Sequence, residues 1–103
     1  MTVEDSIPVE PHVFTLSPNA PNPFNAVTTI RYELYRDCAA RLTVYDLLGR
    51  KVACLAEGHR GAGIHMAVWD GRDDDGFDVS SGVYLYRLTA NGISQSGRMT
   101  MIR

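Results

Sequence analysis

Long apolar runs are missing from this 103-residue chain. No stretch approaches the roughly 20 consecutive apolar residues of a membrane-spanning helix. The acidic start, Met1-Thr2-Val3-Glu4-Asp5-Ser6, lacks the apolar segment of a secretory signal. Cysteine is scarce. Cys38 and Cys54 are too few for a disulfide scaffold and too far from other ligands for a zinc site. There is no excess of positive charge: 10 Lys and Arg stand against 12 Asp and Glu, for a net charge of -2. Nucleic acid is therefore not an expected partner, because phosphates call for a basic surface. No window recurs at i, i+3, i+4, i+7 over three turns, so no long helix is expected.

Catalytic motifs are missing too. His12, His59 and His65 are scattered. A Ser–His–Asp set can be assembled on paper from Ser80 or Ser81, His65 and Asp70, but neither a nucleophile elbow nor an oxyanion motif accompanies it. Gly58-His59-Arg60-Gly61-Ala62-Gly63 is glycine-rich, yet no helix follows to cradle a phosphate. An enzyme is not expected.

What is present is a folded composition: 45% hydrophobic, 21% charged and 9% aromatic, enough for one domain. Residues 1–11 carry Pro8 and Pro11 and no periodic pattern, which predicts a linker or a frayed N-terminal extension ahead of a domain over 12–103. Period-two alternation dominates that domain. His12, Phe14 and Leu16 share one parity. Thr28, Ile30, Tyr32 and Leu34 share a face opposed by Arg31 and Glu33. Ala40, Leu42 and Val44 repeat the pattern up to a turn at Asp46-Leu47-Leu48-Gly49. A return strand starts at Lys51-Val52-Ala53. Counting outward from the turn sets Cys54 opposite residues near Arg41 and away from Cys38, so the thiols are expected to stay separate. Glu57 to Gly63 is expected to be a loop.

Ile64 to Trp69 is a strand of two apolar parities, and the size of Trp69 argues that its face is the inner one. Asp70 to Ser81 is a polar connection. Asn91-Gly92 signals a two-residue hairpin between Val83–Thr89 and Ser94–Ile102. Counting outward from that turn sets Leu88 opposite Gln95, Tyr86 opposite Gly97 and Tyr84 opposite Met99. One face then holds Tyr84, Tyr86, Leu88, Met99 and Met101, with an aromatic lying across a strand glycine. About seven short strands separated by turn residues predict an all-β, immunoglobulin-like antiparallel β-sandwich.

Several phrases are more specific than a generic sandwich. Ser17-Pro18-Asn19-Ala20-Pro21-Asn22-Pro23-Phe24-Asn25 runs into Thr28-Thr29-Ile30-Arg31-Tyr32-Glu33-Leu34. Leu42-Thr43-Val44-Tyr45-Asp46-Leu47-Leu48-Gly49-Arg50-Lys51-Val52 follows, then Gly63-Ile64-His65, Trp69-Asp70-Gly71-Arg72-Asp73 and Ser81-Gly82-Val83-Tyr84-Leu85-Tyr86-Arg87-Leu88. The chain closes on Arg98-Met99-Thr100-Met101-Ile102-Arg103. Over about residues 14–103 this ordered set resembles the C-terminal sorting domains of proteins exported by the type IX secretion system. It equally resembles the immunoglobulin-like domain of the flagellar hook-capping protein. Arg98 stands where the sorting family often has Lys.

The resemblance implies a non-catalytic module at the end of a longer exported protein. Such a module is recognised at the outer membrane and serves secretion and surface attachment of an upstream cargo domain. Its expected partners are the outer-membrane secretion machinery and that cargo. Its expected route is the periplasm, then the cell surface or medium. The residues it singles out are Gly97, Arg98, Met99, Thr100, Met101, Ile102 and Arg103 of the last strand, then Asn22, Pro23, Phe24 and Asn25. A structural or adhesive module of an extracellular or flagellar assembly is the alternative, and a calcium-dependent carbohydrate-binding module is a third.

Each motif also has a plainer reading. The three prolines of Pro18–Asn25 fix φ and remove donors, making a rigid connection with Phe24 as a core plug. Asp70, Asp73, Asp74, Asp75 and Asp78 could offer calcium its oxygens, with Asp70, Asp73 and Asp75 the first choices. Their spacing is not that of a helical calcium loop, so a solvated acidic turn and no cofactor are expected. Tyr84 and Tyr86 could stack on sugar, but core packing with hydroxyls at the rim, as in a tyrosine corner, is the expectation. Arg98 and Arg103 could be read by a translocon through charge, or could equally face solvent and keep an exposed terminal strand from pairing edge to edge; such a strand also offers pairing into a homodimer.

Overall fold

The computed structural model describes residues 13–103. The linker expected over residues 1–11, and His12, lie outside the described residues. Among the described residues seven strands follow in order: β1 Phe14–Leu16, β2 Thr28–Leu34, β3 Cys38–Tyr45, β4 Lys51–Arg60, β5 Gly63–Trp69, β6 Gly82–Ala90 and β7 Ile93–Met101. They form two antiparallel sheets, one ordered β1-β2-β5 and the other β4-β3-β6-β7. This is the expected immunoglobulin-like sandwich.

The alternating residues build the core. Thr28, Ile30, Tyr32 and Leu34 are buried, as are Ala40, Leu42 and Val44 from the facing sheet. Trp69 lies inward with Ala67, so the Trp69 parity is the inner one, and Ile64, Met66 and Val68 point outward. The β6–β7 register matches the count from Asn91-Gly92: Leu88 pairs Gln95, Tyr86 pairs Gly97 and Tyr84 pairs Met99. Both turn residues have positive φ, 53° and 79°, the conformation a two-residue turn needs to follow the strand twist. Tyr86 lies flat over Gly97, where any Cβ would collide with the ring.

One expectation fails along β4. The strand continues through Glu57, Gly58 and His59 to Arg60, and only Gly61 and Ala62 separate it from β5. Gly58 is absorbed into the strand at φ 125°, so a glycine that suggested a loop is a local bend in a ladder. The β3–β4 register also slips, at Leu42/Thr43 and at Val44/Tyr45. Bulges of this kind let two residues oppose one. Cys54 lies opposite Thr43, two residues from Arg41, and Cys38 opposite Arg60. The thiols are separate, as expected.

Candidate functional site

The two segments singled out by sequence meet. The connection from β1 to β2 crosses to the other sheet and lies along the outer edge of β7. Phe24 forms an isolated parallel bridge to Met101. Its N–H donates to the Thr100 carbonyl at 3.0 Å, and its carbonyl accepts from the Ile102 N–H at 2.8 Å. Asn22 completes the seam. Its Oδ1 accepts from the Thr100 N–H at 3.0 Å, and its Nδ2 donates to the Arg98 carbonyl at 3.4 Å. The outward-facing backbone of Arg98, Thr100 and Ile102 is thus engaged by the proline–asparagine loop. Over these residues the terminal strand has no free edge to pair with another copy.

The sequence explains why the loop can do this. Pro21 and Pro23 cannot donate, so the segment cannot continue a ladder of its own. Asparagine side chains supply the hydrogen bonds that backbone would otherwise make. Asn19 is buried behind them. Its Nδ2 donates to the Thr28 hydroxyl at 3.0 Å and to the Pro21 carbonyl at 3.2 Å, and its N–H donates to the Tyr86 hydroxyl at 3.2 Å. The Tyr86 hydroxyl donates in turn to the Ser17 carbonyl at 3.3 Å. Burial pushes the Tyr86 phenol above its usual value, with the Asn19 N–H opposing. Phe24 plugs the core edge-on to Trp69, centroids 5.8 Å apart, and Trp69 meets Tyr84 at 5.1 Å. Tyr84 donates to the Ser80 carbonyl at 2.6 Å, the tyrosine-corner bond. Both tyrosines are buried, so neither offers a sugar platform.

Arg103 does not face solvent freely. Its guanidinium reaches into the Asp70–Ser81 connection, donating to the carbonyls of Gly71 and Val79 and standing 3.6 Å from Asp78. Its N–H donates to the Ser81 hydroxyl at 2.9 Å. The last residue is a latch on the acidic loop, and sequence spacing gave no sign of it.

Four of the five carboxylates of that loop are turned to backbone N–H groups or to cations, and Asp75 is exposed. Asp70 accepts from the Arg72 N–H, Asp73 from the N–H groups of Asp75 and Phe77, and Asp74 from the Cys54 N–H. Asp78 pairs with Arg72 and Arg103. Among the described residues no group of three or more His, Cys, Asp or Glu is placed to hold a metal ion. The paper triad does not assemble: His65 stacks on Tyr32 and bonds the Gly61 carbonyl at 2.8 Å, while Asp70 and Ser81 serve the contacts above.

The recognition candidates therefore divide. Phe24, Met99 and Met101 have side chains at most 1% exposed and act through the core. Pro23, Asn25, Arg98 and Ile102 are exposed beside them, with Gly97 and Thr100 half-buried between. Together they form one patch along the seam.

The model of the FlgD Ig-like domain matches residues 24–94. The basal-body rod modification protein FlgD of Salmonella typhimurium is 43% identical over 54 residues, which is 52% of this chain and 23% of that protein. Among solved structures, dimeric latent PorU from Porphyromonas gingivalis superposes with a TM-score of 0.73 at 21% identity, covering 96% of this chain and 10% of that one. PorZ, a surface component of the type IX secretion system of Porphyromonas gingivalis, has a TM-score of 0.58 at 24% identity, covering 85% of this chain and 11% of that one. FlgD from Pseudomonas aeruginosa has a TM-score of 0.57 at 23% identity, covering 72% of this chain and 58% of that one. At these identities the structures share the fold. The chain spans about a quarter of the curated relatives it matches, 23% of their length.

Proposed function

Because this chain belongs to the family of FlgD immunoglobulin-like domains, we propose that it works as a non-catalytic module of a longer exported protein, read at its last strand for secretion and surface attachment. One observation carries the reading: the proline–asparagine loop and residues 98–102 are hydrogen-bonded into a single rigid seam. Exposed Pro23, Asn25, Arg98 and Ile102 sit on that seam in fixed relation. A folded surface of this kind costs a receptor little ordering entropy on binding, unlike a floppy tail. The proposed partner is the outer-membrane machinery, the route runs through the periplasm, and the upstream domain is the cargo.

A second reading is a structural module of a flagellar or extracellular assembly, favoured by the 43% identity to FlgD. One experiment separates them. Deleting residues 98–103 would remove Met99 and Met101 from the core and confound export with unfolding. The better test fuses the chain to a fluorescent reporter carrying an inner-membrane export signal, in a host with type IX machinery, and compares it with an Arg98→Glu/Ile102→Asp variant. Reporter on the surface or in the medium, trapped in the periplasm by the variant at an unchanged melting temperature, supports sorting. Parent reporter held in the periplasm with its domain folded favours the structural module. Export that ignores the variant removes the seam as the signal.

A further inference from the structure

We propose that two copies of this chain pair edge to edge through β5, forming a symmetric dimer with Met66 at its centre. The inference stands apart from the sorting reading and rests on how the four strand edges among the described residues are treated. The β7 edge is covered from Arg98 to Ile102 by Asn22 and Phe24. The β4 edge is bulged, carries Lys51, Glu57 and Arg60, and is met by Asp74, whose N–H donates to the Val52 carbonyl and whose Oδ1 accepts from the Cys54 N–H. The β1 strand has three residues. These are the usual devices that blunt a sheet edge. Among the described residues β5 has none of them.

The backbone of β5 is oriented for pairing. Thr29 and Arg31 of β2, and Tyr35 just after it, bond toward the β1 side, to Ala20, Ser17 and Val13. Alternation then turns Ile30 and Tyr32 toward β5, where they pair with Ala67 and His65. The N–H and C=O groups of Ile64, Met66 and Val68 consequently point away from β2, along the open edge. Among the described residues no hydrogen bond to them is found outside the sheet. The side chains of the same residues are exposed on the outer face, at 54%, 67% and 60%. Ile64, Met66 and Val68 thus present an apolar edge within a seven-residue strand.

A second copy suits that edge better than an unrelated strand, because the sequence is self-complementary about Met66. Antiparallel pairing sets Met66 opposite its own copy and Ile64 opposite Val68 of the other chain, an uninterrupted apolar band of cross-strand pairs. No charge enters the band. The nearest, Arg31 and Glu33, lie one strand back beside Met66 and Ile64. The two Arg31 residues would stand about three strand spacings apart, roughly 14 Å, beyond a Debye length of about 8 Å. The contact is isologous and closes on itself. It is smaller than a standard permanent interface, so a reversible dimer is expected.

The test is the molar mass of the full chain by sedimentation from about 1 μM to about 1 mM, the range in which weak dimers form. The expected result is a twofold rise in mass with concentration, abolished by Met66→Lys at an unchanged melting temperature. Hydrogen exchange gives an independent readout. The amides of Ile64, Met66 and Val68 should slow by about tenfold once nine-tenths of the chains are paired. A single-chain mass across the whole range overturns the proposal and leaves the edge to a strand of another protein. So does a dimer that survives Met66→Lys, or one in which those three amides gain no protection.

Discussion

The two long sides of the sandwich are treated in opposite ways. On the β7 side, residues 22–24 lie against the terminal strand, satisfy its outward backbone and drive a phenylalanine into the core. On the β5 side, a strand of similar length keeps an apolar outer face and an edge that nothing covers among the described residues. An uncovered edge is a template for pairing. In the two proposals above these edges have different tasks: the closed edge presents a fixed surface, and the open edge recruits a strand. The closed edge also takes its parts from distant segments. Asn22 and Thr100 are 78 residues apart, so the seam exists only when the whole domain is folded.

The largest test of this contrast removes one apolar side chain from each edge. Phe24→Ala should cost about 3–5 kcal/mol, the usual penalty for emptying a buried phenylalanine site. Met66→Ala should change stability by no more than about 0.5 kcal/mol, as for an ordinary surface position. Urea unfolding at low concentration, followed by Trp69 fluorescence, measures both. The ring of Phe24 stands against Trp69 at 5.8 Å, so its loss should also change the native emission. Equal costs for the two variants would break the comparison.

A finer test leaves the core intact and cuts only the seam. Asn22→Ala deletes both side-chain hydrogen bonds to the terminal strand and should cost about 1–2 kcal/mol, given roughly 1 kcal/mol for each bond. Amide exchange at Thr100 should accelerate, because its N–H loses its acceptor, while exchange at Met66 in the monomer should not move. Unchanged exchange at Thr100 would show that Phe24 alone closes the edge.

How much of this was legible in the sequence follows from how local each signal is. The β6–β7 hairpin could be counted residue by residue, since Asn91-Gly92 sets both turn type and register. The inner face of β2 followed from strict alternation, and that of β5 from the size of Trp69. Phe24 was recognisable as a plug because it is the one large apolar side chain among the prolines and asparagines. The β4 strand was cut short because Gly58 carries the same letter in a loop and in a bent ladder, and its bulges shift a register that counting assumes constant. The seam was not legible: Asn22 to Arg98 spans 76 residues, and no periodicity reports a contact at that distance. The seat of Arg103 on Gly71 and Val79 is hidden for the same reason. The open edge was half legible, since the second apolar parity of Ile64–Val68 is present in the sequence, but its lack of a cover appears only in three dimensions.

The smallest effect is a pH dependence confined to the closed side. The Tyr86 hydroxyl ties the loop to β6 through Ser17 and Asn19, and burial raises its pKa above that of a free phenol. Between the unfolded and folded values the folded chain holds a proton that the unfolded chain has released. Stability from this group is therefore fully present below about pH 10 and is lost as pH rises through the folded value. Tyr86→Phe should remove this part of the alkaline dependence. It should also cost about 1–2 kcal/mol at neutral pH, because the buried Asn19 N–H loses its acceptor. Melting temperatures of parent and variant from pH 8 to about pH 11 decide it: the gap between them should narrow as pH rises. The amides of Ile64, Met66 and Val68, on the far side, should show no step at that titration. A gap that stays constant would mean that the Tyr86 proton is not coupled to the closed edge, and that the seam is held by Asn22 and Phe24 without it.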